Sequence, residues 1–423
     1  MSVAATRGEI GRRPRPAHMS RRALCYGAFI AAVVTLMVGV TVLYVIRSNA
    51  FANLVDHSQP TGIATADLSG SGPGTLVSAT TMPAVSRHLD RGVQAARVVY
   101  RSTEGDTGAP TQVSGTVFVP TAAPREGGWP VLAFGHGTTG IDEPCAPSLS
   151  PTLWDQTAVI NGLVQSGYAI AFPDYQGLGA PGIHPYLDAR TAGLNVIDAV
   201  RALRATFPNV SRRWAAFGMS QGGAAVWAAD EYAAGYAPEL ELVGVSAIAP
   251  PADLTGLVDR AQSGTLTSAQ ELPFVWLLTS LHRLHPDFNL DDYRRGVLTQ
   301  HWDALSACSG PEADTWDGIQ NDVRPQDLSP GDSAAADRLR GLLQRWALPQ
   351  RILSAPLLVT YGTEDPYIDS GWTDSAISRA CALHGTVVWR LEVGKGHDDV
   401  DGVDQLQWLA ERFAGKPLVS ECR

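Results

Sequence analysis

A serine flanked by glycines follows a short apolar run and precedes a helix-like stretch. The run covers residues 214–217, the sequence G-M-S-Q-G-G occupies 218–223, and the alanine-rich residues 224–229 come next. A G-x-S-x-G turn between a strand and a helix exposes its serine hydroxyl at the helix N-terminus, where backbone N–H groups gather. This setting predicts that Ser220 is a nucleophile for acyl chemistry.

A serine hydroxyl needs a base and an acid that orients the base, and in this arrangement they follow the serine in the order acid, then histidine. Asp365 comes after the apolar run 357–360, at the carboxyl end of an expected strand, where the sites of such sheets form. His397 lies in a glycine-rich loop, G-K-G-H, after the run 387–393. We expect His397 to act as the base and Asp365 as the orienting acid.

Other acids and histidines remain alternatives to this pair. The alternative acids are Glu364, Asp369 and Asp374, and the alternative histidines are His136, His184, His282, His285, His301 and His384. Each is expected to be an ordinary surface or packed side chain, and His136 and His184 also precede the serine in the chain.

An oxyanion formed during acyl transfer needs fixed N–H donors. The backbone of Gln221, directly after the serine, is expected to supply one of them. The loop G-H-G-T-T-G at residues 135–140 follows the apolar run 131–134 and is expected to supply another, from Gly137 or Thr138. A plain glycine-rich turn is the alternative interpretation of this loop.

Apolar runs bounded by glycine or proline alternate with helix-like stretches along residues 81–423, which we take as the catalytic domain. This alternation predicts an α/β fold with a mostly parallel central sheet and helices on both faces. The runs lie at 113–119, 131–134, 168–172, 215–217, 242–248 and 357–360, and the clearest helix-like stretches at 191–206 and 221–232. Residues 53–80, rich in Gly, Ser and Thr, are expected to form a linker.

One interval between two expected strands is long and helix-like. We interpret residues 253–350 as an inserted helical cap, although a second compact domain is the alternative. Within it, the 272–285 stretch has a broad apolar face that either packs in a core or lines a site for an acyl chain. This face comprises Phe274, Val275, Leu277, Leu278, Leu281 and Leu284.

The first 52 residues are expected to direct export. Residues 23–46 carry no charge and, as a helix, would span about 36 Å, enough for the hydrocarbon core of a bilayer. Six arginines precede them, which favours a cytoplasmic N-terminus and an extracytoplasmic body. The segment is interpreted as a transmembrane signal-anchor, with a signal peptide cleaved near Ala52 as the alternative.

Charge and composition exclude several classes of protein. With 32 Lys and Arg against 42 Asp and Glu, the net charge of −10 makes nucleic acid an unsuitable partner. The sequence contains no H-E-x-x-H, C-x-x-C or G-x-x-x-x-G-K motif, so no metal or cofactor is expected. Nothing in the sequence indicates an oligomeric state.

Cys25 lies in the apolar segment, and the other four cysteines lie in the body: Cys145, Cys308, Cys381 and Cys422. An even number in an exported body predicts two disulfides, whose pairing the spacing leaves open among three possibilities.

The chain resembles the secretory lipases, the α/β-hydrolase group of the Candida antarctica lipase A type, over roughly residues 80–423. The resemblance is carried by the motif at 218–223, C-A-P-S at 145–148, D-Y-Q-G-L-G at 174–179, G-H at 396–397 and the large insertion. It implies a cap over Ser220 and the disulfides Cys145–Cys308 and Cys381–Cys422. Gly137 departs from the family pattern, since the yeast enzyme carries an acidic residue near this position, and Thr138 is expected to substitute for it.

These observations lead to one main functional hypothesis. The chain is expected to be a carboxylic ester hydrolase that forms an acyl-enzyme on Ser220 and acts on acylglycerol-like lipid esters. The alternatives are an acyltransferase that uses the same residues and a non-catalytic surface-binding module on a hydrolase scaffold.

Overall fold

The computed structural model of the chain describes residues 59–124, 126–400 and 402–422. In these residues nine strands form one sheet: β1 (Leu76–Thr81), β2 (Val93–Thr103), β3 (Pro110–Pro120), β4 (Trp129–Gly135), β5 (Ala169–Pro173), β6 (Val210–Met219), β7 (Glu241–Ile248), β8 (Leu357–Gly362) and β9 (Val387–Glu392).

The described α-helices are α1 (Pro83–Ser86), α2 (Thr157–Gln165), α3 (Ala189–Thr206), α4 (Gln221–Tyr236), α5 (Gly256–Ser263), α6 (Ser268–Leu284), α7 (Val297–His301), α8 (Thr315–Ile319), α9 (Ser333–Trp346), α10 (Ser370–Ala382) and α11 (Val403–Phe413). Short 3₁₀ helices occupy Glu143–Cys145, Pro147–Leu149, Leu290–Asp292, Trp302–Ser306, Gln320–Asp322 and Pro325–Leu328.

The strands follow the order β1-β2-β3-β5-β4-β6-β7-β8-β9. The pairs β1–β2, β2–β3 and β3–β5 are antiparallel, and every later pair is parallel. One face of the sheet packs on α3, α4 and α10, and the other on α1, α2 and α11. The predicted α/β class, a mostly parallel sheet with helices on both faces, is confirmed.

The strands that the apolar runs predicted lie where helices cover both faces of the sheet. Every residue of β5 and β8 is buried, and continuous apolar runs are typical of such strands. By contrast, β1 and β2 lie toward one edge and alternate buried with partly exposed residues. Residues 76–80 were assigned to the linker, but the structure places them in β1, because Leu76 and Ala79 are buried against the sheet.

All five helices from α5 to α9 lie between β7 and β8, within residues 253–350. They share a core of their own that includes Phe274, Leu278, Leu339 and Trp346. Helix α6 begins at a reciprocal cap, in which the Thr267 side chain accepts from the Gln270 backbone and the Gln270 side chain accepts from the Thr267 backbone.

Each outer strand of the sheet has a further chain segment alongside it. Next to β1, the Ile63 N–H donates to Ala79 O at 3.0 Å, and the Thr81 N–H donates to Thr61 O at 2.8 Å. Next to β9, the Glu421 N–H donates to Val387 O at 2.9 Å. The C-terminal tail therefore runs beside β9, as residues 61–63 run beside β1.

The proposed signal-anchor at residues 23–46 lies outside the described residues. Among residues 59–124, 126–400 and 402–422, no helix is both long enough and apolar enough to cross a membrane.

Candidate active site

Ser220 occupies a sharp turn between β6 and α4. Its φ of +56° is a left-handed conformation that is costly for a residue with a side chain, and its N–H donates to Ile248 O at 2.9 Å. The turn packs closely against the end of β4: a Cβ on Gly222 would lie 2.0 Å from Gly135 O, and one on Gly218 would lie 2.4 Å from Gly222 O. Only glycine fits at these two positions, which explains the spacing of the motif.

His397 and Asp365 form a buried hydrogen-bonded pair. The His397 Nδ1 lies 2.6 Å from Asp365 Oδ2, and the two side chains are 8% and 3% exposed. The other oxygen, Oδ1, accepts from the backbone N–H groups of Tyr367 at 2.8 Å and Ile368 at 3.0 Å. Because Nδ1 donates to the carboxylate, Nε2 of His397 is left to accept a proton.

Among the described residues, none of the three alternative acids is a hydrogen-bond partner of His397. Asp369 caps α10 and pairs with Arg260 at 2.6 Å. Asp374 accepts from the Tyr361 hydroxyl, and Glu364 is exposed. Of the four candidate acids, the structure brings Asp365 to His397.

Several alternative histidines bind backbone carbonyls. The Nδ1 atoms of His136, His184 and His282 lie 2.6 to 2.8 Å from the carbonyl oxygens of Gly137, Gln176 and Phe288, respectively. Burial lowers the pKa of His136, and it lowers the pKa of His184 to about 4, so both are neutral near pH 7.

The three candidate oxyanion donors lie around the serine. Gly137 and Thr138 line the same cavity as Ser220, and a Cβ on Gly137 would lie 3.8 Å from the Ser220 Cβ. Gln221 is the first residue of α4, so its backbone N–H has no acceptor within the helix. The sequence did not identify Tyr186, whose hydroxyl lies 2.9 Å from Thr138 Oγ1. No local motif marks this residue.

The cavity beside Ser220 and His397 has a volume of about 730 Å³. Its apolar walls include Phe134, Val159, Phe217, Met219, Leu254, Leu257, Leu272, Pro273, Trp276 and Trp316. Among the described residues that line it there is no lysine or arginine, and Asp398 is its one carboxylate. The lining therefore suits a neutral, largely apolar molecule.

The side of helix α6 that faces the cavity is not the apolar face that the sequence predicted as a possible acyl site. Phe274, Val275, Leu277, Leu278 and Leu281 are fully buried in the core of the inserted helices, whereas Leu272, Pro273 and Trp276 line the cavity. Of the two interpretations left open for the apolar face, the structure supports core packing.

Two disulfides join Cys145 to Cys308 and Cys381 to Cys422, the pairs that the family resemblance implies. The first connects the segment after the 135–140 loop to the inserted helices. A Cβ on Gly140 would lie 2.5 Å from Cys145 Sγ, so this bridge packs directly on the loop.

Comparison with known proteins shows what this chain resembles. The profile of the family described as "Secretory lipase" matches residues 149–302. Candida antarctica lipase A in its closed state aligns with a TM-score of 0.66 at 18% identity over 85% of both chains. The chain has an α/β-hydrolase fold and is similar to the secretory lipases.

Two relatives of this chain have names that differ in the activity they state. A Mycobacterium tuberculosis protein named a probable inactive lipase is 25% identical over 374 residues, which cover 82% of this chain and 80% of the relative. A secreted triacylglycerol lipase of Malassezia globosa is 28% identical over 200 residues, which cover 44% of this chain and 42% of the relative.

Proposed function

We propose that this α/β-hydrolase is a serine-dependent carboxylic ester hydrolase of the lipase or esterase type. The observation that carries the proposal is the buried His397–Asp365 pair, whose histidine lines the same cavity as the strained Ser220. The name of the Mycobacterium tuberculosis relative describes that protein as inactive. In this chain, Ser220 and His397 line one cavity and Asp365 binds His397, which supports the serine, histidine and acid roles of ester hydrolysis.

The reaction proceeds through an acyl-enzyme. Nε2 of His397 takes the hydroxyl proton as Ser220 Oγ bonds to the ester carbonyl carbon, and Asp365 stabilises the imidazolium. The backbone N–H groups of Gln221 and of Gly137 or Thr138 stabilise the oxyanion. The C–O bond to the alcohol then breaks, and His397 protonates the leaving alcohol. Water repeats these steps on the acyl-enzyme and releases the acid.

The lining of the cavity supports neutral acyl esters, including acylglycerol-like lipids, as substrates. Each buried CH₂ of an acyl chain contributes about 0.8 kcal/mol, so the apolar walls favour chains longer than acetate. The two disulfides support a place of action outside the cytoplasm, because such bonds persist in oxidising compartments.

Turnover of chromogenic acyl esters by Ser220→Ala and His397→Ala variants tests the proposal. Each variant should lower kcat by about 10³-fold or more while the circular dichroism spectrum stays unchanged. Ser375→Ala is the matched control, since Ser375 is exposed on α10 and should keep full activity. Retention of most turnover by Ser220→Ala would show that the proposed mechanism is wrong.

The acid is tested in the same assay. Asp365→Asn should lower kcat by about 10⁴-fold, because the amide favours the wrong tautomer of His397. Glu364→Gln, which changes the exposed neighbour, should leave kcat unchanged. Full activity of Asp365→Asn would remove Asp365 from the mechanism. A wild-type protein that turns over no acyl ester would favour the surface-binding alternative.

A further inference from the structure

Residues 184–186, here called the connector, are bound to helix α6. The Ser280 hydroxyl on α6 donates to His184 O at 2.6 Å and accepts from the Tyr186 N–H at 2.9 Å. Ser280 is fully buried. The inserted helices are therefore hydrogen-bonded to the connector in a region without solvent access, where such bonds hold their geometry well.

The connector also contacts the loop that carries Gly137 and Thr138. The Tyr186 hydroxyl lies 2.9 Å from Thr138 Oγ1, and Tyr186 is only 2% exposed. The Tyr186 ring packs edge-on against Trp276 of α6, with the ring centroids 6.1 Å apart. The position of the tyrosine hydroxyl is thus fixed from the side of α6.

A second contact reaches the residue directly after the serine. The Nδ1 of His184 lies 2.8 Å from Gln176 O and must donate to it, so Nε2 accepts from the side-chain amide of Gln221 at 3.0 Å. His184 and Gln221 are each 3% exposed. The connector therefore touches both sides of the candidate oxyanion site.

The loop on the Tyr186 side has a glycine on each side of Thr138 and Thr139. Gly137 directly precedes Thr138, and Gly140 follows it with a φ of +131°. Glycine adds conformational freedom to the backbone, whereas an oxyanion donor is effective only when it is aimed at a fixed point. A contact that fixes Thr138 therefore has a catalytic consequence.

We propose that Tyr186 is a positioning residue, whose hydroxyl holds Thr138 and so aligns the backbone donors of the 135–140 loop with the oxyanion. This inference rests on the proposed ester hydrolysis. Tyr186 acts through Thr138 and has no chemical role in the reaction. Through Ser280 and Trp276, the contacts of Tyr186 also make the alignment of the loop depend on the position of α6.

The test compares Tyr186→Phe with Tyr293→Phe, a matched loss of one buried hydroxyl. The Tyr293 hydroxyl donates to Ala335 O at 2.8 Å inside the core of the inserted helices, and Tyr293 does not line the cavity. Tyr186→Phe should lower kcat about 10-fold or more and leave KM within about 2-fold, because the lost alignment matters in the transition state. Tyr293→Phe should leave both constants within about 2-fold of wild type.

A boronic acid inhibitor forms a tetrahedral adduct on the serine. Its inhibition constant, Ki, would not change if Tyr186 had a purely structural role. Its Ki should rise for Tyr186→Phe in proportion to the loss of kcat/KM, and it should stay constant for Tyr293→Phe. Thr138→Val removes the same hydrogen bond from the other side. It should reproduce the loss of kcat, and the double variant should lose no more than either single variant.

Three outcomes would overturn the inference. They are equal kcat values for Tyr186→Phe and Tyr293→Phe, an unchanged Ki, and additive losses in the double variant. If Tyr186→Phe does not fold, Thr138→Val alone decides, and an unchanged kcat contradicts the role. The proposed function stands or falls separately, on the Ser220→Ala variant in the same assay.

Discussion

The sheet and the inserted helices contribute to the cavity in different ways. The loops that follow β4, β6 and β9 supply its candidate catalytic groups: Ser220, His397, Gly137 and Thr138. Helices α5, α6 and α8 supply mainly apolar walls: Leu257, Leu272, Pro273, Trp276 and Trp316. In the proposed enzyme, the sheet therefore carries the groups that break the bond, and the helices share with the sheet the selection of the acyl chain.

The two sides of helix α6 also differ in what they contact. Its buried side holds the inserted helices together, and its other side faces the cavity. Substitutions on the two sides should therefore separate stability from selectivity. The first two of the three predictions that follow test this separation.

The largest effect is expected on the buried side of α6. Leu278 is fully buried in the core of the inserted helices, so Leu278→Ala should lower the free energy of unfolding by about 2 to 5 kcal/mol. Denaturant unfolding measures this loss. The ratio of octanoate to acetate ester turnover should stay the same, because Leu278 does not line the cavity. A changed ratio with unchanged stability would contradict the division between the two sides.

A smaller effect is expected on the cavity side. Leu272→Arg should lower the octanoate-to-acetate ratio of kcat/KM about tenfold, because the charge would enter the path of a long acyl chain. Val393→Arg is the control: Val393 is 83% exposed and lies outside the cavity lining. Equal losses on both esters would return Leu272 to a structural role and favour a short-chain esterase.

The third effect concerns the chain between α9 and β8, where the inserted helices rejoin the sheet, and it appears only in the dependence of stability on pH. Glu231 Oε2 on α4 accepts from the backbone N–H groups of Gln350 at 2.8 Å and Arg351 at 3.1 Å. Burial raises the pKa of Glu231 to about 7. The native state therefore holds this proton more tightly than the unfolded chain does, and the contribution to stability is lost as the pH rises from about 4 to about 7.

Glu231→Gln should remove that part of the pH dependence. Between pH 4.5 and 7.5 the free energy of unfolding of the wild type should fall by up to about 3 kcal/mol more than that of the variant. Glu241→Gln is the control, since Glu241 is an exposed partner of Arg213. Identical pH profiles for the wild type and Glu231→Gln would show that Glu231 does not titrate in this window.

The sequence predicted what local patterns encode. Ser220 and its glycines form one contiguous motif, and strands such as β5 and β8 carry continuous apolar runs. Strands β1 and β2 were missed because they lie toward an edge of the sheet, where alternation replaces a continuous run. Short alternating stretches with polar residues are difficult to distinguish from extended loops.

Contacts between distant residues were not predictable. Tyr186 reaches Thr138 across 48 residues and Ser280 across 94, and no spacing rule connects these positions. Likewise, apolar residues surround most of α6, so periodicity alone could not tell its core side from its cavity side. Four acids follow β8 within one loop and the helix after it, and only the fold brings one of them to His397.

The segments beside β1 and β9 have a consequence for the behaviour of the protein at high concentration. An open sheet edge is a template on which a second copy can add a strand and begin aggregation. Here residues 61–63 occupy hydrogen-bonding groups of β1, and the tail at 420–422 occupies those of β9. Because Cys422 is bonded to Cys381 on α10, the tail is held in place covalently. The second disulfide thus keeps the tail on this edge and limits the addition of a strand from another copy.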